Sequence, residues 1–173
     1  MPKHLICVAL LAVGCAFAAQ AEEPLPSVEQ VMSDHKEKIN NQIETINYNR
    51  KRVVGANMEL DSQQAETFWP IYALYRNEMD GLNRETFQLL FEYGRAYGSG
   101  VVTNEDASKI IKMYKALQIK RQVLLNRYID EVSEKMSSMV AMRFLQIEEQ
   151  LDAVEILETG KRIPLVGNSL NRL

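Results

Sequence analysis

The chain has 173 residues, of which 46% are hydrophobic and 25% are charged, and its formal net charge is −3. This length suits one domain with a modest core. The ordinary apolar content argues against a disordered chain, and the negative charge argues against binding of nucleic acid through bulk positive charge.

The first 21 residues have the pattern of a secretory signal peptide. Lys3 supplies the positive start, residues 5–17 are an apolar run, and the sequence AQA at residues 19–21 is an A-x-A cleavage site. Because the apolar run is short for a membrane span, we expect cleavage after Ala21 and export of the rest. Lipid attachment at Cys15, in the sequence LAVGC, is an alternative that fits the lipobox pattern less well.

Cleavage would remove Cys7 and Cys15, the two cysteines of the chain. The mature protein would then have no disulfide and no thiol, although it goes to an oxidising compartment. We therefore expect it to be held together by packing alone.

A short tether at residues 22–26 leads into the first predicted helix, where Ser27 and Gln30 have cap spacing. Gly55 and Asn57 indicate the end of this helix. Within this predicted helix, residues of the apolar line recur at steps of three and four, as on one helix face. This line comprises Val28, Met32, His35, Ile39, Ile43 and Ile46.

The second predicted helix begins after Leu60, because Asp61 can cap the first turn and Gln64 completes a capping box. Its apolar line includes Phe68, Tyr72, Tyr75, Met79, Leu82, Leu89 and Tyr93, and the glycines of residues 94–100 end it. Pro70 lies two turns inside and removes a backbone hydrogen bond, which predicts a kink. The alternative is that Pro70 opens a new helix after a short first segment.

Phe68 and Trp69, the two aromatic residues before Pro70, are predicted to have different roles. Phe68 keeps the apolar line, whereas Trp69 points about 100° away from it on a helix. We therefore assign Phe68 to the core and Trp69 to an interface or binding surface, where tryptophan supplies much contact area.

A third helix is predicted from Thr103, which Asp106 helps to cap, to about Val132. Ser137 or Ser138 could cap a fourth helix that extends to about Val154, although the third helix could also continue through this point. No stretch has the alternating pattern of a strand.

The protein is predicted to be all-α, with four helices of which two have about 30 residues. Long helices with narrow apolar stripes make a thin, elongated bundle. One chain of this shape buries little surface, so we expect a homodimer. The single helical domain would span residues 27–163, followed by a tail at residues 164–173.

The sequence offers little for catalysis or for metal binding. His35 is the one histidine after the signal, no thiolate accompanies it, and the serines have no histidine partner. Glu148 and Glu149 are adjacent and are expected on a solvated face. We therefore predict a protein that is not an enzyme and has no cofactor.

Charge is segregated along the chain. Residues 107–129 have six basic and no acidic residues: Lys109, Lys112, Lys115, Lys120, Arg121 and Arg127. Residues 144–160 have five acidic and no basic residues: Glu148, Glu149, Asp152, Glu155 and Glu158. The two sets could pair with each other, within the bundle or across a dimer, or the basic set could attract acidic partners.

Methionine is concentrated near the predicted end of the third helix. Met136, Met139 and Met142 fall within two helical turns. Such residues pack in cores or form adaptable binding surfaces, because the side chain is flexible and polarizable.

These segments resemble the LTXXQ-motif family of periplasmic proteins, the group of Spy and CpxP. The resemblance lies in ANMELDSQQAETFWPIYALY, VVTNEDASKII and MRFLQIEEQLDA, and the motif itself reads Leu60-Asp61-Ser62-Gln63-Gln64. Aspartate replaces the threonine of the motif, and either residue can cap a helix. The chain departs from the family in its acidic charge and in lacking the histidines of the zinc-binding relatives.

The resemblance implies a cradle-shaped, antiparallel homodimer in the Gram-negative periplasm. It implies an ATP-independent chaperone or envelope-stress protein that binds unfolding clients through a concave helical surface. The candidate client-binding residues are Trp69, Lys109, Lys112, Lys115, Lys120, Met136, Met139 and Met142. The alternative is an adaptor or regulator that docks on one envelope sensor or partner protein.

Overall fold

The computed structural model describes residues 26–166, so the predicted signal peptide, residues 22–25 of the tether and residues 167–173 lie outside the described part. Within residues 26–166 the regular elements are five α-helices. They are α1 (Val28–Asp34), α2 (Lys36–Asn57), α3 (Ser62–Gly98), α4 (Asn104–Lys135) and α5 (Ser138–Gly160). The all-α prediction is confirmed, as are two helices of about 30 residues or more.

The first predicted helix is divided into α1 and α2, which corrects the prediction of four helices. His35 separates the two, because its backbone (φ −106°, ψ 14°) leaves the helical range. The helix resumes when the Ile39 N–H donates to the His35 carbonyl at 2.9 Å. His35 is half-buried at this junction and does not belong to one continuous apolar line.

Side-chain caps mark the start of α1, α3, α4 and α5, whereas His35 before α2 makes no side-chain cap hydrogen bond. Asp61 and Gln64 form a reciprocal capping box, with the Gln64 N–H donating to Asp61 at 2.8 Å and the Asp61 N–H donating to Gln64 at 3.1 Å. Ser27 and Thr103 cap α1 and α4. Ser137 caps α5 by accepting from the backbone of the third residue on, so α4 and α5 are separate helices.

Pro70 lies inside one uninterrupted helix. The helix α3 extends from Ser62 to Gly98 through Pro70, so this proline does not open a new helix. At about 1.5 Å per residue α3 is roughly 55 Å long. The kink stays a prediction.

The helix α3 is the centre of the bundle and contacts each of the other helices or their ends. Paired contacts between Glu78 and Arg127 and between Glu85 and Lys120 show that α4 is antiparallel to α3. The contact of Asn47 with Asp80 places α2 on another side of α3. Side-chain contacts of Phe68 with Phe144 and of Tyr75 with Glu148 show that α5 has the same direction as α3.

The core is aromatic where α3, α4 and α5 meet. Phe68 and Phe144 are fully buried in an edge-to-face contact with ring centroids 5.5 Å apart, and the Tyr75 and Tyr128 rings meet at the same distance of 5.5 Å. The assignment of Phe68 to the core is confirmed. None of the helices between residues 26 and 166 combines the length and the apolarity needed to cross a bilayer.

Candidate interaction surface

A buried ionic cluster joins α2 to α3 and α5. Glu148 is 0% exposed, and its Oε2 atom lies 3.0 Å from Nη2 of Arg50 and 3.8 Å from Nη1 of Arg76. The Tyr75 hydroxyl donates to the same oxygen at 3.0 Å. Such a cluster orients helices, since a buried charge without its partner is strongly destabilising.

Two further carboxylates complete the surroundings of Arg50. Asp152 is hydrogen-bonded to Nη2, and Glu155 accepts from Nη1 at 2.9 Å. Burial alone would lower the pKa of Arg50, but the three carboxylates outweigh it and raise that pKa above its usual value. The guanidinium therefore stays charged, and it fixes α2 against α5.

This cluster corrects the expectation that Glu148 and Glu149 share a solvated face. Only Glu149 is exposed, because neighbours on a helix point in different directions. The missed signal is the spacing of Glu148, Asp152 and Glu155, which places three carboxylates on one helix face at i, i+4 and i+7. Their partner Arg50 could not be identified from the sequence, because it is 98 residues away from Glu148.

Between residues 26 and 166 of one chain, the basic residues of α4 form no ion pair with the acidic residues of α5, which corrects the expectation that the two sets pair within the bundle. Pairing across a dimer stays a prediction. Three of the basic residues pair instead with glutamates of α3: Lys109 with Glu92, Lys120 with Glu85, and Arg127 with Glu78. Arg121 is half-buried and donates to Asn83 at 2.8 Å and to Thr86 at 2.9 Å. These four basic side chains are engaged within the bundle.

Lys112 and Lys115 are different. Both side chains are exposed, and within residues 26–166 neither forms an ion pair. Beside them, Ile111, Ile119 and Val123 are 51%, 64% and 63% exposed. Residues 111, 115, 119 and 123 form one row at steps of four on the side of α4 away from the core. We call this set, with Lys112, the α4 outward face.

The three candidate methionines separate into two environments. Met136 packs against the core between α4 and α5. Met139 and Met142, on the first turns of α5, are 80% and 52% exposed. An exposed methionine pair is an apolar patch that suits an adaptable contact.

Trp69 is half-buried at the junction of α3 with α2. Its ring meets Phe68 edge-to-face at 5.3 Å, and the Lys51 ammonium lies 5.5 Å from its centroid. A Cβ atom on Gly55 would lie 3.5 Å from the indole, so the glycine lets the ring approach the backbone of α2. Trp69 therefore marks the contact between α2 and the rest of the bundle.

His35 lines an open depression together with Asp34, Glu37, Lys38 and Asn41. Among residues 26–166 there is no group of three or more histidine, cysteine, aspartate or glutamate side chains placed to hold a metal ion.

Comparison with protein-family models, with curated proteins and with solved structures finds no significant match to this chain.

Proposed function

We propose that this protein is an exported, non-enzymatic chaperone or envelope-stress protein of the Spy/CpxP type, which holds unfolding clients without nucleotide. The observation that carries the proposal is the α4 outward face, where Ile111, Ile119 and Val123 are exposed beside two lysines that have no ion pair in the described chain. A contiguous patch of exposed apolar side chains is a common mark of a binding site. The signal-like N-terminus and the LTXXQ-like motif at Leu60–Gln64 agree with this proposal.

The chemistry of this face indicates what it would bind. Exposed aliphatic side chains favour the binding of client segments whose apolar residues are exposed by unfolding. The Lys112 and Lys115 ammonium groups favour the binding of client segments that also contain acidic residues. Contacts of both kinds are individually weak at an exposed surface, which allows release without an energy source.

The proposal includes a homodimer in the periplasm. Two antiparallel copies, each bent at Pro70, would form a concave surface, which is the cradle that the family resemblance implies. Met139 and Met142 offer a second exposed apolar patch, for a client or for a second copy.

Cross-linking in the living cell tests the proposal and separates it from the adaptor alternative. A photo-cross-linking amino acid would replace Ile119 on the α4 outward face, with replacement of Leu74, an exposed residue of α3, as the matched control. We expect position 119 to capture many unfolded envelope proteins and position 74 to capture few. Capture of one protein would favour the adaptor, and equal capture at both positions would contradict the proposed surface.

A further inference from the structure

We propose that two copies of this chain exchange their N-terminal arms, so that α1 and α2 of each copy pack against α3 and α5 of the other. The arm is residues 27–57, and the body is α3, α4 and α5. This inference specifies the homodimer of the proposed function and rests on that part of it, but not on client binding.

The contact between arm and body combines a buried apolar face, in which Ile39, Ile43 and Val54 are 2%, 2% and 0% exposed, with specific polar contacts. Asn47 donates to both carboxylate oxygens of Asp80, at 2.8 and 2.9 Å, and accepts from Nε of Arg76 at 3.0 Å. Arg50 enters the cluster around Glu148. All of these contacts form equally well whether the arm comes from the same chain or from a second copy.

The same cluster disfavours a detached arm. Glu148 is 0% exposed, and without Arg50 its carboxylate would lose its nearest cation. An arm that leaves its own body is therefore driven to dock again, and a second copy offers it the same site. This all-or-none attachment is what an exchanged dimer requires.

The connection between arm and body is short and strained. Four residues, Met58 to Asp61, join Asn57 of α2 to Ser62 of α3. Within them Glu59 has φ 51°, the left-handed conformation that a residue with a Cβ atom adopts at a cost. Opening the connection would release Glu59 from this conformation, and short strained hinges favour exchange.

One partly exposed side chain contacts the closed connection. Arg143 pairs with Glu59 and donates to the Met58 carbonyl at 3.4 Å. The Arg143 and Glu59 side chains are 43% and 72% exposed, so solvent weakens this pair. It therefore opposes opening only slightly.

The hinge end of the body also carries an uncovered apolar patch. Met139 and Met142 lie at the start of α5, beside the Arg143 side chain that contacts the hinge, and they are 80% and 52% exposed. Because exchange keeps the contacts between arm and body, the α2 helix of each arm would lie antiparallel to α3 of the partner. The two bodies would then meet at the hinge end, where the second copy covers these methionines.

Cross-linking between arm and body distinguishes exchange from a closed arm. The full chain would carry Asn47→Cys and Asp80→Cys, with Cys7→Ser and Cys15→Ser to remove the native thiols, and would be treated with a short bis-maleimide. We expect a covalent dimer under reducing denaturing conditions. The matched control pair, Glu85→Cys with Lys120→Cys, joins α3 to α4 and should give a product of monomer size.

Light scattering after size exclusion measures the native oligomeric state, which is needed to interpret each cross-linking result. A native dimer whose Asn47→Cys, Asp80→Cys pair cross-links only within one chain would overturn the exchange and leave an ordinary dimer. A native monomer at high micromolar concentration would overturn both the exchange and the dimer. Client protection is measured on the same samples, so a failure of the proposed function is seen separately.

Substitution of Glu59 tests the hinge independently of the cross-link. Glu59→Gly and Glu59→Ala both remove the pair with Arg143, but only glycine adopts the left-handed conformation freely. Relief of this strain in two hinges should raise the dimer dissociation constant of Glu59→Gly about tenfold or more above that of Glu59→Ala. Equal dissociation constants would contradict a strained hinge as the origin of the dimer.

Discussion

The Arg50 guanidinium lies 3.0 Å from the Glu148 carboxylate, with exposed fractions of 7% and 0% for the two side chains. Ninety-eight residues separate them along the chain, so the pair joins the N-terminal arm to the last helix. The Tyr75 hydroxyl and the Arg76 guanidinium also lie close to Glu148, so α2, α3 and α5 share this cluster.

Breaking one half of this pair should be costly, and removing both halves should not. Arg50→Met leaves the Glu148 charge buried with only the more distant Arg76, and we expect a loss of about 3 kcal/mol in the free energy of unfolding. The double variant Arg50→Met, Glu148→Leu should recover most of this loss. Urea unfolding of the wild type, both single variants and the double variant gives the coupling energy, and a loss below about 1 kcal/mol for Arg50→Met would contradict the role given to the cluster.

The aromatic neighbours Phe68 and Trp69 should respond differently to truncation. Phe68 is fully buried, so Phe68→Ala should lower the free energy of unfolding by about 3–5 kcal/mol. Trp69→Ala should leave the bundle folded while weakening the contact of α3 with α2. Circular dichroism and urea unfolding measure both, with Leu74→Ala as an exposed control expected to change stability by less than about 0.5 kcal/mol. Complete unfolding of Trp69→Ala would show that this residue belongs to the core.

Alkaline pH should destabilise the protein through Tyr128. Burial, and then the hydrogen bond to Glu78, raise the pKa of Tyr128 to about 12. Because the folded pKa lies above the unfolded value of about 10, this contribution to stability is complete below pH 10 and is lost as pH rises toward 12. Tyr128→Phe should therefore flatten the decline of the melting temperature between pH 9 and 11. The exposed Tyr48→Phe is the control, and identical profiles for both variants would exclude this explanation.

Pro70 should lower the free energy of unfolding and bend α3. Pro70→Ala restores a backbone N–H inside α3, and we expect a gain of about 1 kcal/mol or more in the free energy of unfolding. If the proline bends the helix, small-angle scattering should also report a longer maximum dimension for the variant. A less stable variant of unchanged dimension would show that α3 is already adapted to Pro70 and that no bend depends on it.

Local sequence signals predicted the helices and their caps well, but not the contacts between distant helices. The Asp61 capping box depends on residues three positions apart, so spacing alone identifies it. The sequence left Ser137 and Ser138 both open as the cap of the last helix, and the structure selects Ser137. The division at His35 was missed because apolar periodicity continues through it while the backbone does not. Neither Glu148 burial nor the α4 pairing with α3 is encoded locally, since each partner lies tens of residues away.

The candidate surface was predicted only in part, for the same reason. The sequence identified Lys109, Lys112, Lys115 and Lys120 as one basic group, and their charge gave no means of separating them. The position of each lysine on the packed helix determines whether it is paired, because Lys109 and Lys120 face glutamates of α3 whereas Lys112 and Lys115 are exposed on the α4 outward face. Exposure of Ile119 and Val123 beside them appears only once the helices are packed.

The central claim is that the α4 outward face holds unfolding proteins without nucleotide, and suppression of aggregation of a model client tests it most directly. A chemically denatured client would be diluted into buffer without ATP, and its aggregation would be followed by light scattering. The three proteins compared are the wild type, the double variant with Ile119→Asp and Val123→Asp, and the control Leu74→Asp. We expect suppression by the wild type and the control, and loss of most suppression in the double variant while its helicity and melting temperature stay near those of the control. No suppression by the wild type at several-fold excess over client, or equal suppression by all three proteins, would contradict the claim.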